Sequence, residues 1–313
     1  MKIIYHNDFD GMAAAGIFSD FLDFVKKGKN NIFFRSIDYD EINKYINEEI
    51  KEEAAVLDFP FHPDAKWWID HHKTAFRTKN LKSLYKPSKC MYWNTRAKSC
   101  PALMRPFFKK YYPEYFSRFK LRYSELVKYS SIIDSAGYES PAQIYDFENC
   151  YFCFNYGLST GLAANLTDNF IYSIRRGVME EFFASTEFSD LKTTCECDFS
   201  KYENNKEVII EYEKKIITLD YLSSGLKPQR YFGYLYYPDA DYTIMLSQRN
   251  GMYYVGAGYN PWKSLNNVNL GELFIPFGGG GRMDVGAALL KSQDSYDKCV
   301  DYVREKLSNQ VSA

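Results

Sequence analysis

Three short apolar segments near the start of the chain each lead directly into an acidic or imidazole side chain. They read KIIY, AAVL and WWI, and they are followed by His6, by Asp58 and by the run Asp70-His71-His72. Segments with apolar residues at helical spacing lie between them, and this alternation predicts βαβ units in a parallel sheet. Because the carboxyl ends of parallel strands line one edge of a sheet, polar side chains distant in sequence are expected to meet there.

The side chains at these strand ends are almost all carboxylates and imidazoles. All four histidines of the chain lie in its first 72 residues. The collected set is His6, Asp8, Asp10, Asp58, Asp70, His71, His72 and Asp134, the last of which follows a predicted helix at a glycine-containing break. Such groups without thiolates suit Mn²⁺, Mg²⁺, Co²⁺ or Fe²⁺ better than structural zinc. Four aspartates would balance the charge of two divalent cations, and two-metal sites recur in hydrolytic phosphoryl chemistry.

The composition limits the class of protein. A length of 313 residues suggests two domains, and a net charge of -1 excludes a global basic field for long nucleic acid while leaving a local basic patch open. No apolar run approaches membrane-spanning length, so we expect a soluble, cytoplasmic protein. Seven cysteines are too scattered for a disulfide scaffold, and reduced thiols are a better interpretation than a four-cysteine zinc site at 150, 153, 195 and 197.

The second half of the chain predicts a linker and a smaller domain. Helical periodicity over 165–183 and 202–222 indicates connecting helices, with a boundary near Gly225. Beyond it, the segments 231–237, 242–247 and 252–257 alternate as strands, and the pair Asn250-Gly251 predicts a hairpin turn. A strand over 273–277 and a helix from 284 are expected to flank a glycine run. The predicted division is a catalytic domain over 1–190, a linker helix over 191–225 and a substrate-binding domain over 226–313.

The glycine run is a candidate anion site. Backbone N–H groups of Gly278, Gly279, Gly280 and Gly281 could approach an anion closely, and a helix N-terminus after them would add a favourable field. Arg282 could then bind a phosphate through two nitrogens, and Arg249 beside the predicted hairpin turn is a second candidate. The alternative is a flexible loop without a ligand.

The ordered motifs resemble those of a known family. The sequence His6-x-Asp8-x-Asp10-Gly11, then Asp58, Asp70-His71-His72 and Asp134, is similar to the four motifs of the DHH phosphoesterases, and the glycine run resembles the motif of the associated DHHA1 domain. The resemblance implies an α/β chain with a parallel-sheet DHH domain, a helical linker, a smaller DHHA1-like α/β domain and an active site in the cleft between the domains.

The resemblance also implies a set of ligands. His6, Asp8 and Asp58 would hold one metal. The second metal would be held by Asp10, Asp58, His71 and Asp134, with Asp58 shared and a water between the metals as the nucleophile. His72 would contact the substrate, and Asp70 would orient an imidazole. Arg282 stands where the family commonly has histidine, so it keeps phosphate binding but would not transfer a proton near neutral pH.

The implied activity is that of a hydrolase acting on phosphodiester or terminal phosphate bonds of short single-stranded oligonucleotides or small nucleotides, a nuclease or nucleotide phosphatase. Its cofactors would be two divalent metal ions, with Mn²⁺ expected and Mg²⁺ or Co²⁺ as alternatives. A pyrophosphatase or exopolyphosphatase, or a catalytically silent nucleotide-binding module, are the alternative functions. No membrane partner is expected, and the sequence leaves open whether the chain forms a homodimer.

Overall fold

The computed structural model of the chain describes residues 1–27, 31–205, 208–249, 251–265 and 267–311. The chain forms two compact units. The first consists of residues 1–138 and 147–195, and the second of residues 139–146 and 196–313.

The strands of the first unit lie in its N-terminal part and helices follow them, whereas the second unit contains the remaining six strands. The strands are β1 (Lys2–His6), β2 (Phe33–Ile37), β3 (Ala54–Leu57), β4 (Trp67–Asp70), β5 (Met91–Trp93), β6 (Ile209–Glu213), β7 (Ile216–Asp220), β8 (Tyr242–Arg249), β9 (Met252–Tyr259), β10 (Gly280–Arg282) and β11 (Val285–Leu290). The α-helices are α1 (Phe9–Val25), α2 (Ile42–Asn47), α3 (Lys79–Leu84), α4 (Cys100–Tyr111), α5 (Pro113–Asp134), α6 (Pro141–Ile144), α7 (Cys150–Thr160), α8 (Thr167–Arg176), α9 (Met179–Phe183), α10 (Thr186–Asn204), α11 (Leu270–Leu273) and α12 (Gln293–Val311). None of these helices is both long enough and apolar enough to cross a bilayer.

The first unit contains a five-stranded sheet in the order β2-β1-β3-β4-β5, and its pairs are parallel. The predicted α/β class and parallel sheet are therefore confirmed. Strand β5 is short and lies at the edge, and the sequence analysis did not identify it. The three central strands are the apolar segments that lead into the polar side chains.

Helices α1 and α5 pack against each other, and each carries candidate ligands at one of its ends. Helix α1 is buried along most of its length, which its small residues from Ala13 to Gly16 permit. A buried carboxylate, Asp20, joins it to α5, because Arg118 Nε donates to Asp20 Oδ2 at 3.0 Å and Tyr115 Oη donates to the same oxygen at 2.8 Å. This contact anchors the helix that ends at Asp134.

The second unit contains a six-stranded sheet in the order β10-β11-β9-β8-β7-β6. Its pairs are antiparallel except for β7 with β8. The hairpin of β8 and β9 is confirmed, with Arg249 paired to Met252, although Asn250 of its predicted turn lies outside the described residues. Helix α12 packs on this sheet through Val303 and Leu307.

The predicted linker helix over 191–225 is wrong beyond Asn204. Helix α10 ends there, and the chain continues as the antiparallel strands β6 and β7 of the second sheet. The turn between them contains Lys214 and Lys215, both with positive φ, at 47° and 56°. Because Asn and Gly usually occupy such positions, the sequence carries no hairpin signal here.

The prediction around the glycine run is also wrong. The segment 273–277 is the end of α11 and a 3₁₀ helix rather than a strand, and residues 285–290 are strand β11 rather than a helix. The glycine run therefore enters a hairpin of β10 and β11, and no helix N-terminus follows it directly. The predicted strand over 231–237 is likewise a 3₁₀ helix, Phe232–Leu235.

Candidate metal centre

The carboxyl ends of three neighbouring strands bring the candidate ligands together. His6 is the last residue of β1, Asp58 follows β3, and His71 follows β4. These strands are adjacent in the sheet, so their ends lie side by side. The convergence that the strand pattern predicted is present in the structure.

Asp8 and Asp10 lie at the start of α1. Asp8 is the N-cap, and its Oδ1 accepts a hydrogen bond from Gly11 N at 2.8 Å, which leaves Oδ2 at 2.7 Å from His6 Nδ1. A Cβ atom at Gly11 would lie 2.1 Å from the carbonyl oxygen of His6. Glycine is therefore required for the helix to begin directly against the end of the strand.

Asp58 lies at the centre of the cluster. Its backbone has a φ of 56°, in the left-handed region, and its side chain is fully buried. His71 Nε2 lies 3.2 Å from Asp58 Oδ1, and His6 Nδ1 lies 3.8 Å from Asp58 Oδ2. The two imidazoles thus approach different oxygens of one carboxylate.

Asp10 and Asp134 approach the same nitrogen of His71 as Asp58 does. Their Oδ2 atoms are 3.6 Å and 3.5 Å from His71 Nε2. The N–H of Cys100, at the start of α4, donates to Asp10 Oδ2 at 2.7 Å, and the carbonyl oxygen of Ala97 lies 3.2 Å from His71 Nδ1. The bond to Ala97 leaves Nε2 as the nitrogen of His71 that is free to act as a ligand.

Several buried polar atoms of this cluster lack a hydrogen bond of normal geometry, although other charged groups of the cluster lie close to them. They are His6 Nδ1, Asp10 Oδ1, Asp58 Oδ1, Asp58 Oδ2, Asp70 Oδ2 and His71 Nε2. Buried polar atoms are normally satisfied, and their concentration at one place indicates a ligand for them. Three groups of side chains have potential ligand atoms within 4.8 Å of one another: Asp58-His71-His72, His6-Asp8-Asp58 and Asp10-His71-Asp134. None of these groups includes a cysteine.

The electrostatics of the cluster favour bound positive charge. Burial alone would lower the pKa of His6, but contacts with Asp58 and Asp8 outweigh burial and raise this pKa to about 11. Although burial acts in the opposite direction, the neighbouring imidazoles hold the pKa of Asp58 below its usual range. Burial, together with the charge of Asp58, raises the pKa of Asp134 to about 6 and that of Asp10 well above its ordinary value. These carboxylates repel one another unless a cation lies between them.

His72 is held by Asp70. The buried Oδ1 of Asp70 accepts from the backbone N–H of His72 at 3.1 Å and lies 2.8 Å from His72 Nδ1. Trp93 Nε1 donates to the carbonyl oxygen of His72 at 2.9 Å. Burial opposes the shift, yet Asp70 and Asp58 raise the pKa of His72 to about 9. With Nδ1 bound to Asp70, Nε2 is the atom of His72 available for a further partner.

Two residues beside His6 were not predicted from the sequence. Asp38 Oδ1 lies 3.9 Å from His6 Nε2, and the ring of Tyr39 packs edge-on against the His6 imidazole with centroids 5.1 Å apart. Burial and nearby carboxylates, Asp70 first among them, raise the pKa of the Tyr39 phenol. Asp38 directly follows β2. The expectation that polar residues after parallel strands meet at one edge of the sheet, which located Asp58, therefore applies to Asp38 as well.

The predicted substrate-binding residues lie in the second unit. Gly280, Gly281 and Arg282 form β10, and Gly278 and Gly279 precede it. Cβ atoms at Gly279 and Gly281 would lie 2.2 Å and 2.1 Å from carbonyl oxygens of β11, so packing of the hairpin requires these glycines. A Cβ at Gly280 would meet nothing within 4 Å.

The two predicted arginines differ in their surroundings. The Arg282 side chain is 70% exposed, and its Nε lies 3.6 Å from Asp284 Oδ1. The guanidinium of Arg249 instead lies over the ring of Tyr254, 4.2 Å from its centroid. Arg282 is therefore the more available of the two.

Comparisons with known proteins support the fold. Neither a family model nor a curated protein matches the sequence. Among solved structures, a pGpG-specific phosphodiesterase from Vibrio cholerae is similar with a TM-score of 0.72 and 17% identity, over 99% of this chain and 98% of that one. An exopolyphosphatase-related protein from Bacteroides fragilis has a TM-score of 0.55 and 14% identity, over 100% and 93% of the two chains. The exonuclease RecJ bound to manganese has a TM-score of 0.55 and 9% identity, over 98% and 89%.

These neighbours define the class of fold. They are members of the DHH/DHHA1 superfamily, and the similarity spans both units of this chain. The likeness to DHH phosphoesterases that the motifs indicated is therefore confirmed for the fold.

Proposed function

We propose that this chain is a divalent-metal-dependent hydrolase of phosphodiester or terminal phosphate bonds in short oligonucleotides or small nucleotides. The observation that carries the proposal is the cluster of buried carboxylate and imidazole atoms, without hydrogen bonds of normal geometry, at the carboxyl edge of the parallel sheet. The named activities of its structural neighbours, a phosphodiesterase and an exonuclease among them, support the same class of reaction.

The donor set fits two divalent cations. We assign His6, Asp8 and Asp58 to one cation, and Asp10, Asp58, His71 and Asp134 to the other. Carboxylate oxygens and imidazole nitrogens without thiolates suit Mn²⁺, with Mg²⁺ and Co²⁺ as alternatives. The manganese bound to the structurally similar RecJ supports Mn²⁺.

The chain's own residues then have separate tasks. Cations bound in the cluster would polarise the phosphoryl group and lower the pKa of water. His72, oriented by Asp70 through Nδ1, would donate from Nε2 to a phosphoryl oxygen or to the leaving oxygen. Asp70 acts as a positioning residue because both of its contacts to His72 hold that residue in place.

The glycine-rich segment of the second unit would bind substrate. Gly280 supports this role in substrate binding. Neither its φ nor the protein atoms around it require glycine, but a ligand that approaches the backbone closely would require it. Five cysteines, Cys90, Cys100, Cys150, Cys197 and Cys299, are free thiols, which supports a reducing compartment, and we propose that this is the cytoplasm.

The proposed function is tested by hydrolysis of a linear dinucleotide with Mn²⁺, Mg²⁺ or Co²⁺, measured as mononucleotide release by chromatography. We expect turnover that EDTA abolishes. Release of phosphate from pyrophosphate or polyphosphate alone would favour the alternative hydrolase. Nucleotide binding without turnover of any of these substrates would indicate a silent binding module.

Arg282→Ala is expected to raise the Michaelis constant for the dinucleotide about tenfold or more, because a charge-assisted contact to phosphate is lost. Metal content, measured by elemental analysis, should not change. Arg282→Lys serves as the matched control, since it keeps the charge but loses the two-nitrogen contact, and it should recover part of the affinity. An unaltered Michaelis constant in Arg282→Ala would remove this residue from the substrate site.

Asp38→Ala is expected to weaken Mn²⁺ binding about tenfold, because a carboxylate beside a ligand imidazole orients it and raises its basicity. Isothermal titration with Mn²⁺ should show two binding steps, and the dissociation constant of the weaker step should increase. Asp40→Ala is the control, since Asp40 is an exposed residue of the 3₁₀ helix Tyr39–Glu41, for which Asp38 is the N-cap. Equal Mn²⁺ affinities of the two variants would show that Asp38 does not support His6.

A further inference from the structure

One segment of the first unit carries many basic residues and no acidic ones. Residues 73–110, called here the basic segment, contain eleven lysines and arginines and no aspartate or glutamate. They are Lys73, Arg77, Lys79, Lys82, Lys86, Lys89, Arg96, Lys98, Arg105, Lys109 and Lys110. Since the whole chain has a net charge of -1, the remainder carries -12. Such asymmetry indicates a polyanionic partner.

These charges are open to solvent. All eleven side chains are exposed, and none forms an ion pair with a residue in the described part of the chain. Several basic residues elsewhere in the same unit are neutralised, as Arg118 is by Asp20 and Arg175 by Asp23. The basic segment therefore keeps its full charge available for a ligand.

The basic segment also forms part of the wall of the metal centre. Trp93 Nε1 donates to the carbonyl oxygen of His72 at 2.9 Å, and Cys100 N donates to Asp10 Oδ2 at 2.7 Å. The carbonyl oxygen of Ala97 binds His71 Nδ1 at 3.2 Å. A chain of phosphates that lies on this segment would reach the cluster without leaving the first unit.

Aromatic rings are interspersed with the basic residues. Tyr85, Tyr92, Trp93 and Tyr111 are half-buried, and β5 is an edge strand. Lys82 Nζ lies 5.6 Å from the centroid of the Trp93 ring, and Lys110 Nζ lies 4.7 Å from that of Tyr111. Positive charge combined with accessible aromatic rings is the pattern of single-strand binding surfaces, and inorganic polyphosphate would use only the charge.

We propose that the basic segment binds the phosphate backbone of a single-stranded oligonucleotide on one side of the bond to be cleaved. This inference rests on the proposed function for the identity of the reacting bond, but binding itself does not require turnover. It assigns the chain a substrate longer than a dinucleotide. The contacts to phosphate are electrostatic and therefore depend on salt concentration.

The test measures binding of a fluorescein-labelled single strand of about ten nucleotides, a length that matches the known site sizes of single-strand binding modules. Fluorescence anisotropy of the full chain is recorded in EDTA, so that hydrolysis does not interfere, at several salt concentrations. The test variant carries Lys79→Gln, Lys86→Gln and Lys89→Gln, which leave the supports of His71 and His72 in place. The control variant carries Lys44→Gln, Lys51→Gln and Lys120→Gln, three exposed lysines of the same unit outside the segment.

We expect the test variant to bind about tenfold more weakly or worse at 0.1 M salt, with a log–log salt slope smaller by about 2, or about 0.7 for each lost phosphate contact. The control variant should bind like the wild type. Equal affinities of test and control variants would overturn the proposal, and so would tighter binding of inorganic polyphosphate of equal charge.

The outcomes separate this inference from the proposed function. Salt-dependent binding that the test variant loses, without hydrolysis of any nucleotide under any metal, would support the binding surface and contradict the hydrolase. Hydrolysis of a dinucleotide, with strand binding unaffected by the three substitutions, would support the hydrolase and contradict the binding surface.

Discussion

Asp58→Asn is expected to abolish tight binding of both metals and to lower turnover about a thousandfold or more. Asp58 approaches His6 with one oxygen and His71 with the other, and neither of these buried oxygens has a hydrogen bond of normal geometry. An amide in its place cannot supply the negative charge that two cations share. Since bound cations contribute several kcal/mol to phosphoryl transfer, their loss should remove most of the rate. Isothermal titration with Mn²⁺ and dinucleotide turnover measure the two effects.

Asparagine is a better substitution here than alanine because of the backbone. Asp58 has a φ of 56°, a conformation that asparagine adopts far more readily than alanine. We therefore expect the variant to keep the circular dichroism spectrum and cooperative unfolding of the wild type in EDTA. Asp40→Asn, with the same change of charge at an exposed position, should retain metal binding and turnover. Wild-type turnover in Asp58→Asn would refute the assignment of the metal centre.

His72→Ala is expected to lower kcat by about 10²- to 10⁴-fold, the usual contribution of a positioned acid or base. Both metals should still bind. This second expectation is decisive, because His72 Nδ1 also lies 3.6 Å from Asp58 Oδ1, so geometry alone would allow His72 to act as a ligand. The number of bound Mn²⁺ ions per chain, measured by elemental analysis, distinguishes a residue that contacts substrate from one that holds metal.

Asp70→Asn should give a smaller loss of kcat than His72→Ala, since it removes only the group that orients the imidazole. His62→Ala is the matched control. His62 is a buried histidine bonded to the carbonyl oxygen of Glu48, so its substitution should lower thermal stability without lowering kcat. A His72→Ala variant that binds one metal fewer than the wild type would move His72 into the ligand set.

The candidate site in the first unit was largely predictable because one rule places its residues. Parallel strands end at one edge, so His6, Asp58 and His71 could be placed side by side from the pattern of apolar segments alone. The contacts of Cys100 and Ala97 were not predictable, because they are made by a backbone N–H and a backbone carbonyl group, which do not depend on the type of side chain. Asp38 directly follows β2 and obeys the same rule, although it was not among the predicted residues.

The second unit was predicted less well because tertiary pairing overrode local preference. The segment Val285–Leu290 reads as a helix through its alanines and leucines, yet it pairs along β9 at Gly256 and Gly258. A Cβ on Gly286 would lie 2.3 Å from the carbonyl oxygen of Leu270, so close packing on α11 holds this segment in the sheet. Such contacts join residues far apart in the chain, so the local periodicity of the sequence does not predict them.

The ligands proposed for the metals are spread over most of the first unit, from His6 at the end of β1 to Asp134 at the end of α5. During synthesis the nascent polypeptide lacks its last oxygen donor until that helix has emerged and docked. The ligand set of the second cation is complete only then, so a cation bound there would stabilise the folded first unit and not a shorter nascent chain.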